Sequence, residues 1–198
     1  MRTASLLPVA VALVASVGAL QDTTRTDAAR MHTKLVAIAE RGDLPAAKRA
    51  TPVRTTFTDR EVNAYFKING KDLLPEGLTD PQIGIGDTGK VNAKAIVDLD
   101  TALKPKERSW LDPLAWVSGK VEVTASATVT GKNGTGLLQL ESATLSGVSV
   151  PISLLQQLVT YYTRTPENPS GFDLTKPFAL PANIKSLESQ RGTATVTQ

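Results

Sequence analysis

Phe57-Thr58-Asp59-Arg60-Glu61-Val62-Asn63-Ala64-Tyr65-Phe66 decides how the rest of this 198-residue chain is read. Thr58 followed three places later by Glu61 is a capping box. The threonine hydroxyl accepts the Glu61 backbone N–H, and the glutamate carboxylate reaches back to the Thr58 N–H. Phe57 before the cap and Val62 at the fourth helical position have the spacing of a hydrophobic staple. The pattern predicts a helix over 58–69, with Val62, Tyr65 and Phe66 on its apolar side and Asp59, Arg60, Asn63 and Lys67 on its polar side. Asn69-Gly70 is its expected stop. A face carrying that much aromatic surface needs a cover, and the rest of the chain has to supply it.

Upstream, Arg2 is followed by an apolar run from Leu6 to Leu20, and Val17-Gly18-Ala19 offers the small residues at which a signal peptidase cuts. The run is shorter than the roughly 20 residues of a membrane span, so residues 1–19 read as an export signal. The alternative for the same residues is an uncleaved anchor. The expected location is the periplasm or cell envelope. From Asp22 to Arg41, Ala28, Met31, Leu35 and Ile38 recur at three- and four-residue steps, which predicts a helix ended by Gly42. With the linker that follows, this makes an N-terminal helix-and-linker segment over 20–52, and residues 53–198 read as a single domain.

Composition narrows the function classes. There is no cysteine, which excludes disulfides, thiolate chemistry and cysteine-ligated metals. The formal net charge is +3 with the basic residues scattered, which is no footprint for nucleic acid. A short basic group, Lys48-Arg49 and Arg54, suits at most transient contact with a membrane surface.

Downstream of the capped helix the period changes. Gln82 to Gly86 reads as a short strand and Asp87-Thr88-Gly89 as a turn. Lys90 to Asp100 then alternates, with Val91, Ala93, Ala95, Val97 and Leu99 on one face and Asp98 and Asp100 on the other. Val121, Val123, Ala125, Ala127 and Val129 repeat the alternation, and Asn133-Gly134 is a hairpin turn. A third strand is expected over 136–150, and its apolar set changes parity near Glu141-Ser142, which predicts a bulge there. Pro151 opens a second main helix over 151–163. Leu154, Leu155, Leu158 and Tyr161 help make it apolar around more than half its circumference. Ile184–Gln190 and Thr193–Thr197 form a closing pair reversed at Arg191-Gly192. The expected class is α+β: a curved antiparallel meander wrapped around or capped by two main helices.

Residues with a chemical look have simpler readings. Gly84-Ile85-Gly86-Asp87-Thr88-Gly89 spells G-x-G-x-x-G, but a strand follows it where a phosphate-binding helix N-terminus is required. Asp87-Thr88-Gly89 also spells the aspartic-protease tripeptide, which needs a second copy to share its proton. His32 is the sole histidine, with no positioned serine motif to serve, and reads as an exposed helix residue. Asp98 and Asp100 read as the solvent face of a strand. No enzyme activity, cofactor or metal site is expected.

Four stretches together resemble the exported bacterial lipid-binding domains of the tubular (TULIP-like) kind, including YceB- and YpmS-like envelope proteins. They are Phe57 to Tyr65, Val97-Asp98-Leu99-Asp100, Gly147-Val148-Ser149-Val150-Pro151 and Pro177-Phe178-Ala179-Leu180-Pro181. The resemblance covers residues 55–198 and implies a curved sheet around a helix, holding acyl chains in an apolar groove. The expected function is then an exported binding protein for lipids or other apolar small molecules, with Val62, Tyr65, Phe66, Leu154, Leu155, Leu158 and Tyr161 lining the groove. The alternative for these seven is plain core. The alternative function is an envelope interaction module whose Trp110–Trp116 loop and apolar helix contact a protein partner.

Overall fold

A computed structural model describes residues 9–102, 119–162, 169–171 and 173–198. In chain order the elements are α1 (Val9–Asp43), β1 (Arg54–Thr58), α2 (Asp59–Leu73), β2 (Leu78–Ile85), β3 (Lys90–Asp98) and the one-turn α3 (Leu99–Ala102). There follow β4 (Lys120–Lys132), β5 (Thr135–Leu145), β6 (Val148–Ser149), α4 (Ile152–Tyr162), β7 (Phe178–Ala179), β8 (Ser186–Gln190) and β9 (Thr193–Thr197). The class is α+β. The strands form one 9-stranded sheet in the order β1-β9-β8-β4-β3-β2, with β5 on the other side of β4 carrying β6 and β7 on its outer edge. Every pairing is antiparallel.

β4 is long enough to hold two neighbours on one side. β3 pairs with it from Lys120 to Thr128, and beyond that β8 takes over at Gly131 opposite Leu187. The β8–β9 turn is fastened to the β2–β3 turn. The Arg191 N–H donates to Asp87 Oδ1 at 2.9 Å, the Gly192 N–H to the Ile85 carbonyl at 2.8 Å, and the Ser189 hydroxyl to the Gly86 carbonyl at 2.8 Å. The Asp87-Thr88-Gly89 stretch is thus a turn, as its sequence predicts, with its carboxylate occupied.

Residues paired across strands share a face, so the register fixes one continuous apolar surface. Ile83, Ala93, Ala125 and Ala143 lie in one row across β2 to β5, and Ile85, Val91, Ala127 and Leu140 in the next but one along the strands. Over β1, β9 and β8 this face is closed by α1. Ile38 packs with Ile184 and Val196, and Phe57, Leu180, Ala182 and Leu187 surround them. Buried Gln198 stitches that seam by donating to the carbonyls of Ile38 at 2.8 Å and Ala182 at 2.6 Å. Over β3 to β5 the cover is thinner: Val121 and Ala143 are buried, but Ala93, Ala95, Val97, Val123, Ala125 and Val129 are only half-buried.

Several boundaries differ from those the sequence predicts. α2 runs through Asn69-Gly70 to Leu73, and the stop is Leu74, whose extended backbone precedes Pro75. Gly70 is buried inside the helix, where a Cβ would sit 3.0 Å from Leu74 Cδ1. β2 is longer than 82–86 and carries an irregularity between Thr79 and Gln82. The third strand breaks at Ser146-Gly147, both with positive φ (49° and 81°), so 148–149 fold back as β6. β3 ends at Asp98, and Leu99 turns inward at the start of α3. The bulge is where the parity change places it: Ser126 faces Ser142 and Ala127 faces Leu140, leaving Glu141 unpaired. Asn133 and Gly134 have φ of 53° and 79°, as a tight hairpin requires. α1 is one continuous helix longer than 22–41, and among the described residues no helix is long and apolar enough to cross a membrane.

Candidate functional site

α2 is held on three sides by residues of the opening motif. The capping box is complete: Glu61 N–H donates to Thr58 Oγ1 at 3.1 Å, and Thr58 N–H to Glu61 Oε2 at 2.9 Å. The same carboxylate receives Lys34 Nζ of α1 at 2.7 and 2.8 Å. Burial by itself would push the Glu61 carboxyl up. The Lys34 ammonium, the Thr58 N–H and the nearby Arg30 charge outweigh it and hold the carboxyl below its ordinary value. Asp27 of α1, 1% exposed, takes Arg60 Nε at 2.8 Å. Tyr65 stacks on His32, ring centroids 6.1 Å apart.

Asn63 anchors the third side. Its amide donates to the Ile83 carbonyl at 2.8 Å and accepts the Ile83 N–H at 2.7 Å. β2 ends the main path of the sheet, so one side chain supplies what a further strand would have supplied at that position. A bare edge is a template for unwanted pairing, and Asn63 closes it.

Cavities gather around this anchor. One of about 530 Å³ lies between the second half of α2 and the 74–82 segment, with Phe66, Lys67, Lys71, Leu74, Glu76 and Asp80 among its walls. A second, about 630 Å³, spans β2 to β4 and is lined by Ile83, Ala93 and Ala125 among others. These two share Asn63 and Gln82 as common wall. A third, about 540 Å³, lies between α1 and α2 and includes Asp27, Arg60, Asn63 and Lys67. All fall in the roughly 300–1,000 Å³ range of small-molecule sites.

The residues expected to line a groove fall into two groups. Val62, Tyr65 and Phe66 are half-buried on α2, which packs against α1, β1 and β2. Of these, Phe66 lines the first cavity, whereas Tyr65 turns to His32. Leu154 and Leu155 are half-buried on α4, which packs against β5. β3 and β4 separate the strands on which the two helices rest. The side chains of Leu158 and Tyr161 lie outside what the structure describes, as does the Trp110–Trp116 loop.

Asn63 and Gln82 are the junction residues that sequence reading passed over. The available signal was Asn63 itself, a poor helix former placed mid-helix beside apolar neighbours. The residues with a chemical look resolve otherwise. Asp98 ends β3 on its polar face, as expected, and has a further role: its Oδ1 accepts the Asp100 and Thr101 N–H groups at 3.1 and 3.3 Å and so caps α3. Asp100 sits inside α3, and its Oδ2 accepts the Gly119 N–H at 2.9 Å. His32 is exposed, as expected. Among the described residues no group of three or more His, Asp or Glu side chains is placed to hold a metal ion.

Fold and cavities together define an α+β protein whose antiparallel sheet, among the described residues, has part of its apolar face only half-buried beside the edge-pinned helix α2. No family model matches the chain, and no curated protein matches it. Among solved structures, that of a lipopolysaccharide binding protein is similar at 14% sequence identity and a TM-score of 0.21, covering 74% of this chain and 40% of that one. The chain therefore spans well under half that protein's length, and a likeness of that size leaves function to be argued from this chain's own geometry.

Proposed function

We propose that the protein is an exported binding protein for lipids or other apolar ligands, holding acyl chains against the sheet between α2 and α4. The observation that carries this reading is the apolar face of β2 to β5. Most of its alternating Val and Ala residues are only half-buried, and it adjoins cavities edged by α2. A sheet face of that composition favours a cover, and among the described residues α1 closes it over β1, β9 and β8 while much of it over β3 to β5 stays half-buried. Each methylene laid on it contributes about 0.8 kcal/mol, so a single acyl chain reaches micromolar affinity without a charged contact. No bond is made or broken in this function, and no cofactor takes part. Native mass spectrometry of protein purified from cells tests it: co-purifying lipid is the expected result.

Exposed Val148 (71%) and Ile152 (44%), on the β5–β6 side of the molecule, favour a second reading in which that corner meets an envelope protein. Absence of lipid in the native spectrum, together with Leu158→Asp abolishing a partner pull-down, would select this reading and reject the first.

A further inference from the structure

The cavity between α2 and β2 has an ordered charge pattern. Lys67 and Lys71 are four residues apart on α2 and therefore stand on one wall. Glu76, in the turn after α2, and Asp80, at the irregularity in β2, stand on the other. Among the described residues none of these four side chains has an ion pair or hydrogen bond, although unlike charges line the same space. Between them the lining is apolar, from Phe66, Leu74 and Leu78. Asn63 and Gln82 wall both this cavity and the neighbouring one, where Ile83, Ala93 and Ala125 form an apolar row flanked by Asn92, Lys94, Thr124 and Ser126.

We propose that this cavity seats the head of a zwitterionic amphiphile, its phosphate against Lys67 and Lys71, its ammonium against Glu76 and Asp80, and its chain passing Asn63 onto the sheet. The inference rests on the lipid-binding reading and narrows it to one head-group chemistry. A purely anionic head satisfies the lysines but meets two carboxylates, and a neutral head leaves both walls unmatched. A phosphate joined to an ammonium complements both at once. The mixed walls also select against ligands carrying either charge alone, which a wholly basic cavity would not do.

Isothermal titration of the full chain with three single-chain lipids of equal acyl length tests the idea: lysophosphatidylethanolamine, lysophosphatidylglycerol and a monoacylglycerol. The zwitterion is expected to bind roughly tenfold more tightly than either of the others, the size of one charged hydrogen bond. Lys67→Ala with Lys71→Ala should remove that preference, bringing the zwitterion down to the level of the monoacylglycerol. Glu76→Gln with Asp80→Asn should instead bring the phosphatidylglycerol lipid up to the level of the zwitterion. All four residues are exposed, so the variants are expected to fold, which circular dichroism checks. Phosphoethanolamine lacking a chain should bind far more weakly, and equal binding would overturn the amphiphile in favour of a soluble zwitterion. Three lipids binding alike, or selectivity unmoved by both double variants, would overturn the head-group assignment while leaving lipid binding intact. No binding of any of the lipids would remove the parent reading itself.

Discussion

Asn63 and Glu61 lie two residues apart and each joins α2 to a different layer. Replacing Asn63 with alanine leaves the Ile83 N–H and carbonyl without their partner, at a cost of about 1–3 kcal/mol. Urea denaturation of Asn63→Ala should show that loss, and light scattering should show increased self-association through the opened β2 edge. Glu61→Gln separates the cap from the ion pair, because glutamine also completes a capping box. The folded Glu61 carboxyl is held below its ordinary 4.5. Its stabilising effect is therefore whole above that pH and is lost as the pH falls through and below it. The melting-temperature gap between wild type and Glu61→Gln should accordingly be largest near neutrality and shrink below pH 4.5. A gap that stayed constant on acidification would contradict the ion-pair account. The cap was legible from sequence because Thr58 and Glu61 meet through local geometry. The partnership of Asn63 with Ile83 was not, since those residues are 20 apart and on different elements.

At the scale of elements, what repeats locally was readable and what ends by tertiary contact was not. Period-two alternation in β3 and β4, the Asn133-Gly134 turn and the bulge at Glu141 all follow from side-chain parity and backbone preference. The end of α2 did not, because Gly70 serves close packing against Leu74 instead of termination. The same holds for Asp98, whose alternating position concealed a cap for the next helix. The fastening of the β2–β3 turn to the β8–β9 turn joins stretches distant in sequence, and its tightest point is Gly89. With φ at 86°, a Cβ on Gly89 would stand 2.2 Å from the Val129 carbonyl oxygen. Gly89→Ala should therefore lose about 2–4 kcal/mol in chemical denaturation, combining left-handed strain with a clash against backbone. The same substitution at Gly119, whose Cβ would meet nothing within 4 Å, should cost only the strain.

On the scale of the whole molecule, one apolar sheet face is closed at one end by α1 and, among the described residues, largely half-buried at the other. The composition of that face was legible, because the strands alternate. Its uneven cover was not, because it depends on where α1 and α4 settle, and nothing local in either helix specifies the strand it rests on. The closed end is held by β9, which lies between β1 and β8 and carries Ala194 and Val196 into the core. Truncation before Thr193 should abolish cooperative unfolding, seen as loss of a single sigmoidal transition in circular dichroism. A retained sharp transition would show that α1 and the remaining strands suffice.

The pairing of β1 with β9 also sets a schedule. Thr56 and Thr195 share a hydrogen bond across 139 residues, so a chain emerging amino end first makes β1 long before its neighbour exists. Until then the first strand, and the helix that must settle over it, have nothing to close upon. Contacts of that separation form late and make folding slow. On the export reading proposed above, that delay is what a chain passing unfolded through a translocation pore requires.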